Sequence, residues 1–366
     1  MMRFPGRLAL QQRVLPNYRV PFFDLLASAC DGGMSLFTGL PRPNEGITTA
    51  EELKVANYKA GRNIHIFSGS FTLYYQSGLI DWLKDWNPAA LIVEANSRCL
   101  SISSAVKWMH GRGRPVIGWG LGSPPLPGAF AEFRQSRRLS FLKQFDALIA
   151  YSRRGADEYT ALGFPTERIF VAHNSVSPPP SFRLPGRAST FNRKPYILFV
   201  GRLQARKRID HLLRACAEIA SEPRLVIIGA GPERNALESL AKEIYPNAEF
   251  IGAKHGAELK PYFTEADLFI LPGSGGLAIQ EAMSYGLPVI VAQGDGTQDD
   301  LVRKENGWQI PPDDFEALVS AVKEAFSDVA RLRKMGEASY RVVAEEINIE
   351  KMVETFVRAL NSITLK

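Results

Sequence analysis

The second half of this chain alternates apolar runs of strand length with stretches of helical period, and that alternation narrows its fold most. Tyr196-Ile-Leu-Phe-Val200 is a run of β-branched and aromatic residues. A helical pattern follows through Ile209, Leu212, Leu213, Cys216 and Ile219. Leu225–Ile228, Glu249–Ile251, Leu268–Leu271 and Pro288–Val291 read as further strands. Strands that alternate with helices make βαβ units, and those units make a parallel sheet. Continuous apolar runs fit a sheet covered on both faces.

The first half carries the same signal more weakly. Its candidate strands are Arg7–Gln12, Met34–Gly39, Ile64–Phe67, Ala90–Glu94, Pro115–Trp119, Ala147–Ser152 and Ile169–Ala172, with helical stretches such as Ser101–His110 and Arg153–Leu162 between them. A length of 366 residues suits two domains. Five prolines between Ser177 and Pro195, with no periodicity, read as a semi-rigid linker. The expectation is two Rossmann-like α/β domains, 1–176 and 196–366, with parallel sheets facing a central cleft, joined by a Pro-rich linker at 177–195. Ile349, Met352, Val353, Phe356, Val357 and Leu360 trace one face of a last helix, 349–363, with Asn348 as its cap. That helix is a candidate to cross back to the first domain.

At 45% hydrophobic and 22% charged, the composition is that of a soluble globular chain, and no run of 18 apolar residues suggests a membrane span. No secretory signal is recognisable at the N-terminus. Cys30, Cys99 and Cys216 are too few and too scattered for a disulfide framework or a zinc site, which favours a cytoplasmic setting. Charge is uneven: residues 1–185 hold 21 Lys+Arg against 13 Asp+Glu, a net of +8. Such a half suits an anionic partner, or is simply a solvated basic surface. A nucleic-acid partner is not expected, because no base-reading module is present.

Ligands of open α/β sheets bind at the carboxyl ends of strands, so the chemistry should follow the strands. Gly201-Arg-Leu-Gln-Ala-Arg-Lys-Arg208 follows the strand ending at Val200. Gly201 allows close backbone approach, and Arg202 and Lys207 at a helix start make a positive site for a diphosphate; the plain alternative is a basic solvated turn. Pro272-Gly-Ser-Gly-Gly-Leu277 is a glycine-rich loop before a helix that should end at Gly286. Gly273, Gly275 and Gly276 leave amides free for phosphate or sugar oxygens. Glu281, one turn into that helix, could accept both hydroxyls of a ribose. Gly229-Ala-Gly231-Pro232 is too short for the dinucleotide fingerprint but allows close approach of backbone to a nucleotide.

Taken in order with Asn306-Gly-Trp-Gln-Ile-Pro-Pro-Asp313, these segments resemble the retaining GT-B glycosyltransferases of the GT4 group, also called glycosyl transferases group 1. The likeness covers most of residues 195–330. In the first half it is loose, chiefly Leu15-Pro-Asn-Tyr-Arg-Val-Pro-Phe-Phe23 and His173-Asn-Ser-Val176. The resemblance implies a nucleotide-diphosphate sugar donor on the C-terminal domain and an acceptor on the N-terminal one. It implies that Arg202 and Lys207 hold the diphosphate and that Glu281 holds the ribose. The main chain near Lys254 would meet the base, and Gly275, Gly276 and Leu277 the distal phosphate and sugar. Two departures stand out. The family usually has a donor-sugar glutamate where this chain has Gly273. Many members have a histidine after the strand that matches Val116–Trp119, where this chain reads Trp119-Gly-Leu-Gly122.

No Asp-x-Asp occurs, so Arg202 and Lys207 would do a metal's work by stabilising the leaving diphosphate, with no cofactor besides the nucleotide sugar. The expected activity is a metal-independent, retaining hexosyl transfer, with a UDP-sugar favoured over a GDP-sugar. Its setting would be polysaccharide or glycolipid assembly. Tyr18, Arg19 and Glu94 are the acceptor-side candidates, although Glu94 is also readable as a strand-end charge paired with a neighbouring arginine. His173 reads as a hinge hydrogen bond before a catalyst, and Trp82 with Trp86 as one inward helix face. A basic first domain suggests a lipid-linked acceptor and peripheral contact with the acidic inner face of the cell membrane. A nucleotide-sugar epimerase of similar fold and a non-catalytic nucleotide-sugar binding protein are the alternatives.

Overall fold

A computed structural model describes residues 2–66, 72–128 and 130–364. The chain separates into two compact units, one of residues up to Val176 together with those from Ile349 onward, the other Ser177–Asn348.

The first unit is built on a seven-stranded parallel sheet. Its strands are β1 (Leu8–Val14), β2 (Met34–Gly39), β3 (Asn57–Ala60), β6 (Ala90–Glu94), β7 (Val116–Gly120), β8 (Ala147–Ala150) and β9 (Ile169–Val171), in the order β3-β2-β1-β6-β7-β8-β9. β4 (Arg62–His65) and β5 (Tyr74–Ser77) form a separate antiparallel pair. The second unit holds a six-stranded parallel sheet of β10 (Tyr196–Val200), β11 (Arg224–Ile228), β12 (Glu249–Gly252), β13 (Leu268–Leu271), β14 (Val289–Ala292) and β15 (Gly307–Ile310), ordered β12-β11-β10-β13-β14-β15. Both orders are doubly wound, with a reversal beside β1 and beside β10. Central strands such as Ile197, Leu198 and Phe199 are completely buried, as continuous apolar runs require.

The differences from the sequence expectation lie at edges. β3 reads Asn-Tyr-Lys-Ala with mostly exposed side chains, so no apolar run marks it. Ile64 belongs to the small antiparallel pair and not to an interior strand; Phe67, the end of the expected Ile64–Phe67 strand, lies outside the described residues. Tyr74–Ser77 and Gly307–Ile310 are strands too short and too mixed to stand out.

The segment 177–195 has no regular helix or strand and is fastened to the second unit. The Arg187 guanidinium donates to the carbonyls of Ala266, Tyr285 and Phe263, at 3.0, 2.8 and 3.0 Å. Burial, with Arg333 nearby, pushes its pKa down to about 10. The last helix, Ile349–Thr364, packs into the first unit, burying Met352, Val353, Phe356, Val357 and Leu360. Phe356 meets Trp119 edge-on with centroids 5.0 Å apart, and Phe22 at the same separation. Each such apolar side chain stabilises by about 1.5–3 kcal/mol on burial, with roughly 0.5–1.5 more per aromatic pair. Asn348, just before it, donates through Nδ2 to the carbonyls of Val343 and Ala344.

Candidate active site

Three strand-end loops of the second unit come together at its reversal point. The first, 201–208, follows β10. It is tied to the loop after β11 by Leu203 N donating to Ala230 O (2.9 Å) and Glu233 N to Leu203 O (3.2 Å). A Cβ on Gly231 would stand 2.6 Å from the Leu203 carbonyl carbon, so only glycine fits that approach. The third loop, 272–276, follows β13. Ser274 N donates to Arg206 O (3.0 Å), and Arg206 Nη1 donates to Ser274 Oγ (3.1 Å).

Lys207 is the centre of this arrangement. Its side chain is only 8% exposed, and Nζ donates to the Ser274 carbonyl at 2.5 Å. Burial, with the Arg206 cation beside it, pushes its pKa down to about 8. Gly275, in the left-handed region at φ +106°, lies against Nζ. The loop is thus wrapped on a poorly solvated ammonium, a group that gains from a second negative partner. Arg202 projects from Gly201-Arg202 as an exposed cation on the same loop. Arg208, left-handed at φ +52°, precedes the helix Ile209–Ala217 and pairs with Asp313, itself left-handed at φ +61°.

The helix Leu277–Ser284 begins directly after the glycines, with Leu277 exposed at its start, and ends before Gly286 at φ +69°. Glu281 is half-buried on it. Its carboxylate hydrogen-bonds none of the described residues, and burial pushes its pKa up. Lys254 follows the edge strand β12, two strands from β10, and its ammonium pairs with Glu258 at 2.9 Å. The structure therefore joins Gly201, Lys207, Gly231, Gly273 and Gly275 through direct contacts between their loops. Lys254 stands apart.

Sequence reasoning passed over Arg206 and Ser274, whose pairing was signalled only by a serine inside the glycine run. It also passed over Gln298, which is 2% exposed and whose Oε1 has no hydrogen-bond partner among the described residues. A Cβ on Gly276 would lie 3.6 Å from Gln298 Nε2, so this amide borders the glycine loop.

The acceptor-side candidates occupy the first unit. Glu94 ends β6 and accepts from the Arg13 amide (2.8 Å) and from the Tyr74 hydroxyl (3.1 Å). Burial raises its pKa against those two bonds. The arginine-paired alternative takes a different form, because the Arg13 guanidinium pairs with Glu45 at 2.8 Å. Tyr18 is exposed. Arg19 is placed differently from the acceptor contact expected of it. It is 7% exposed, donates to Asn174 Oδ1 (2.5 Å) and Ser175 O (3.3 Å), and lies over Trp119 and Tyr151 at 5.5 and 5.6 Å. The His173-Asn-Ser-Val motif is therefore what Arg19 grips. Trp82 is buried with Nε1 donating to Ser35 Oγ, and Trp86 Nε1 donates to Leu8 O.

Residues 185–342 match the family described as "Glycosyl transferases group 1". The solved Anabaena HepE in complex with UDP superposes with a TM-score of 0.71, covering 97% of this chain and 99% of that one at 14% identity. The chain has the GT-B fold, and the family match lies within its second unit. The chain also matches a sucrose-phosphate synthase structure from Thermosynechococcus elongatus, with a TM-score of 0.67 over 98% of the chain and 99% of the other at 19% identity. Among curated relatives, the lipopolysaccharide core biosynthesis glycosyltransferase LpsE of Rhizobium meliloti (strain 1021) is 24% identical over 306 residues, 77% of this chain and 87% of LpsE. A GDP-mannose-dependent alpha-mannosyltransferase of Mycobacterium tuberculosis (strain CDC 1551 / Oshkosh) is 31% identical over 232 residues, 60% of this chain and 58% of that enzyme.

Proposed function

We propose that this chain is a glycosyltransferase that moves a hexose from a nucleotide-diphosphate sugar to a hydroxyl of a glycan acceptor, with retention at the anomeric carbon. The observation that carries the reading is the buried Lys207 ammonium beneath the glycine loop, at the reversal point of the second unit's sheet. Arg202 and Lys207 would neutralise the diphosphate as the anomeric C–O bond breaks. The acceptor oxygen bonds to that carbon on the same face, and its proton passes to the leaving phosphate oxygen. No protein base and no metal enter this scheme. Glu281, with a carboxylate that engages none of the described hydrogen-bond donors, is suited to the ribose diol. Lys254 main chain, Gly276 and Leu277 would border the base and the sugar.

UDP is preferred over GDP as the carrier. HepE was solved with UDP-glucose, whereas the mycobacterial relative is named for GDP-mannose, so the base is the first thing to test. Polysaccharide or glycolipid assembly is the favoured setting, in keeping with the name of LpsE. Contact with an acidic membrane at its cytoplasmic face is supported by the helix Ala131–Leu142, which buries only Leu142. Phe130 and Phe133, 81% and 62% exposed, stand there among Arg134 and Arg137. Gly273 favours a second reading, a binding protein without turnover, because no side chain replaces the usual glutamate.

The test is a thermal-shift titration of UDP, GDP and their sugars, with Arg202→Ala, Lys207→Ala and Glu281→Ala beside the wild type. Stabilisation by one base that fades in all three variants is the expected result. Release of nucleoside diphosphate then separates transfer or hydrolysis from binding alone. An absence of any nucleotide-dependent shift would sink the donor-site assignment.

A further inference from the structure

A cavity of about 390 Å³ opens at the carboxyl ends of β6, β7 and β8. Arg98 and Arg138 both line it, with Asn96 as a neutral polar group and the partly exposed Tyr151 as an aromatic edge. Arg98 is exposed on the loop after β6, and its guanidinium makes no hydrogen bond or ion pair with any described residue. Arg138 is half-buried on the helix Ala131–Leu142, and Nη1 donates to Pro124 O at 2.9 Å. Burial and the cations of Arg98 and Arg134 together push its pKa down.

The carboxylates nearby do not neutralise this wall. Glu94 is held by the Arg13 amide and Tyr74, and burial favours its protonated form. Glu158 attracts Arg138 but has Arg154 at 3.6 Å as its own partner. Trp119 Nε1, fully buried, has no hydrogen-bond partner among the described residues. Like charges held together on a concave wall are costly until a counter-anion binds. Arginine forks match phosphate oxygens two at a time, and an aromatic edge beside them suits the apolar side of a sugar ring.

We propose that this cavity takes a phosphate group of the acceptor, held between Arg98 and Arg138, with an attached sugar beside Asn96 and the partly exposed Tyr151. The assignment rests on reading the first unit as the acceptor side. The phosphate could belong to a soluble glycosyl phosphate or to a lipid headgroup, and the two sources are separable by experiment.

The full chain, with UDP present to occupy the donor site, is titrated with glucose 1-phosphate by calorimetry. In parallel it is sedimented with vesicles of phosphatidylglycerol in phosphatidylcholine. Paired substitutions Arg98→Ala/Arg138→Ala are compared with Arg98→Lys/Arg138→Lys, each checked by thermal melting and by UDP affinity. The expected result is that at least one probe binds the wild type. The alanine pair should weaken it about tenfold or more, the lysine pair should recover much of that, and UDP affinity should stay within about twofold. A loss confined to glucose 1-phosphate assigns a soluble glycosyl phosphate; a loss confined to vesicles assigns a headgroup. Neither probe binding the wild type, or binding unchanged in the alanine pair, overturns the assignment. If UDP fails to bind the wild type while arginine-dependent binding of a probe persists, the donor reading falls and the cavity assignment stands.

Discussion

A Cβ on Gly273 would stand 2.6 Å from Lys207 Cα. The glycine is therefore more than a missing carboxylate, because backbone of the 201–208 loop fills the space a side chain would need. Gly273→Ala should push the 272–276 loop off Lys207, costing about 1–3 kcal/mol of stability and weakening nucleoside diphosphate binding together. Thermal melts and calorimetry on the variant check both. A melt unchanged from wild type would show that the loop yields freely.

Lys207 predicts a pH dependence. Its pKa in the folded protein, about 8, lies below the ordinary lysine value near 10.5. The unfolded chain therefore binds more protons between those two values. Stability rises with pH across that window, and the cost of burying the ammonium is fully present below pH 8. Binding of a diphosphate works in the opposite direction, since it needs the charged form. Affinity for UDP should fall as pH rises above about 8, with proton uptake on binding. Calorimetry in buffers of different ionisation enthalpy measures that uptake; none at pH 9 would remove Lys207 from the diphosphate site.

Glu281 should show a trade between stability and binding. Burial raises its pKa, so the unfolded chain loses its proton first, and stability declines as pH climbs through the window above the ordinary carboxylate range. Glu281→Gln removes that penalty at neutral pH and should raise stability by about 0.5–2 kcal/mol while weakening nucleotide binding. Denaturant unfolding and a UDP titration test the pair of effects. A variant that gains stability and keeps full UDP affinity would exclude the ribose role.

Arg19→Met should cost about 2–4 kcal/mol, because it removes the guanidinium that donates to Asn174 Oδ1 and Ser175 O and lies over Trp119 and Tyr151. UDP affinity should be unaffected below the melting point. Selective loss of acceptor use without loss of stability would instead return Arg19 to the acceptor side.

Phe130→Ser/Phe133→Ser should reduce binding to anionic vesicles several-fold while leaving the melt within about 1 °C, since both rings are largely exposed. Co-sedimentation at low and high salt reads the effect, and equal binding to neutral vesicles would remove the acidic-surface contact.

The sheets were legible because their central strands are buried on both faces and so are written as unbroken apolar runs, such as Tyr196–Val200. Strands such as Asn57–Ala60 were not, because an edge exposes its side chains and leaves polar residues free to vary. The glycine loops and Lys207 at the reversal point of the second sheet could be picked out from their place after strands. Their mutual contact could not, because nothing local to Gly273 says that Lys207 lies against it. Arg19 is a related case: an arginine after a strand reads as a ligand contact, and only tertiary packing shows two of its donors engaged by Asn174 and Ser175. Arg98 and Arg138 lie on separate loop and helix segments, so only the fold makes them neighbours.

The helix Ile349–Thr364 belongs to the first unit, yet every residue of the second is translated before it. At ~5–20 residues per second, the ribosome spends about ten to thirty seconds making the intervening unit. Through that interval Phe22 and Trp119 lack the ring of Phe356 that completes their cluster. The second unit can mature as it emerges, while the first stays an open half-shell with an aromatic face on view. The nascent chain is therefore most prone to stick to other chains until that helix emerges, and nascent-chain chaperones have a long hold on the unit that waits for it.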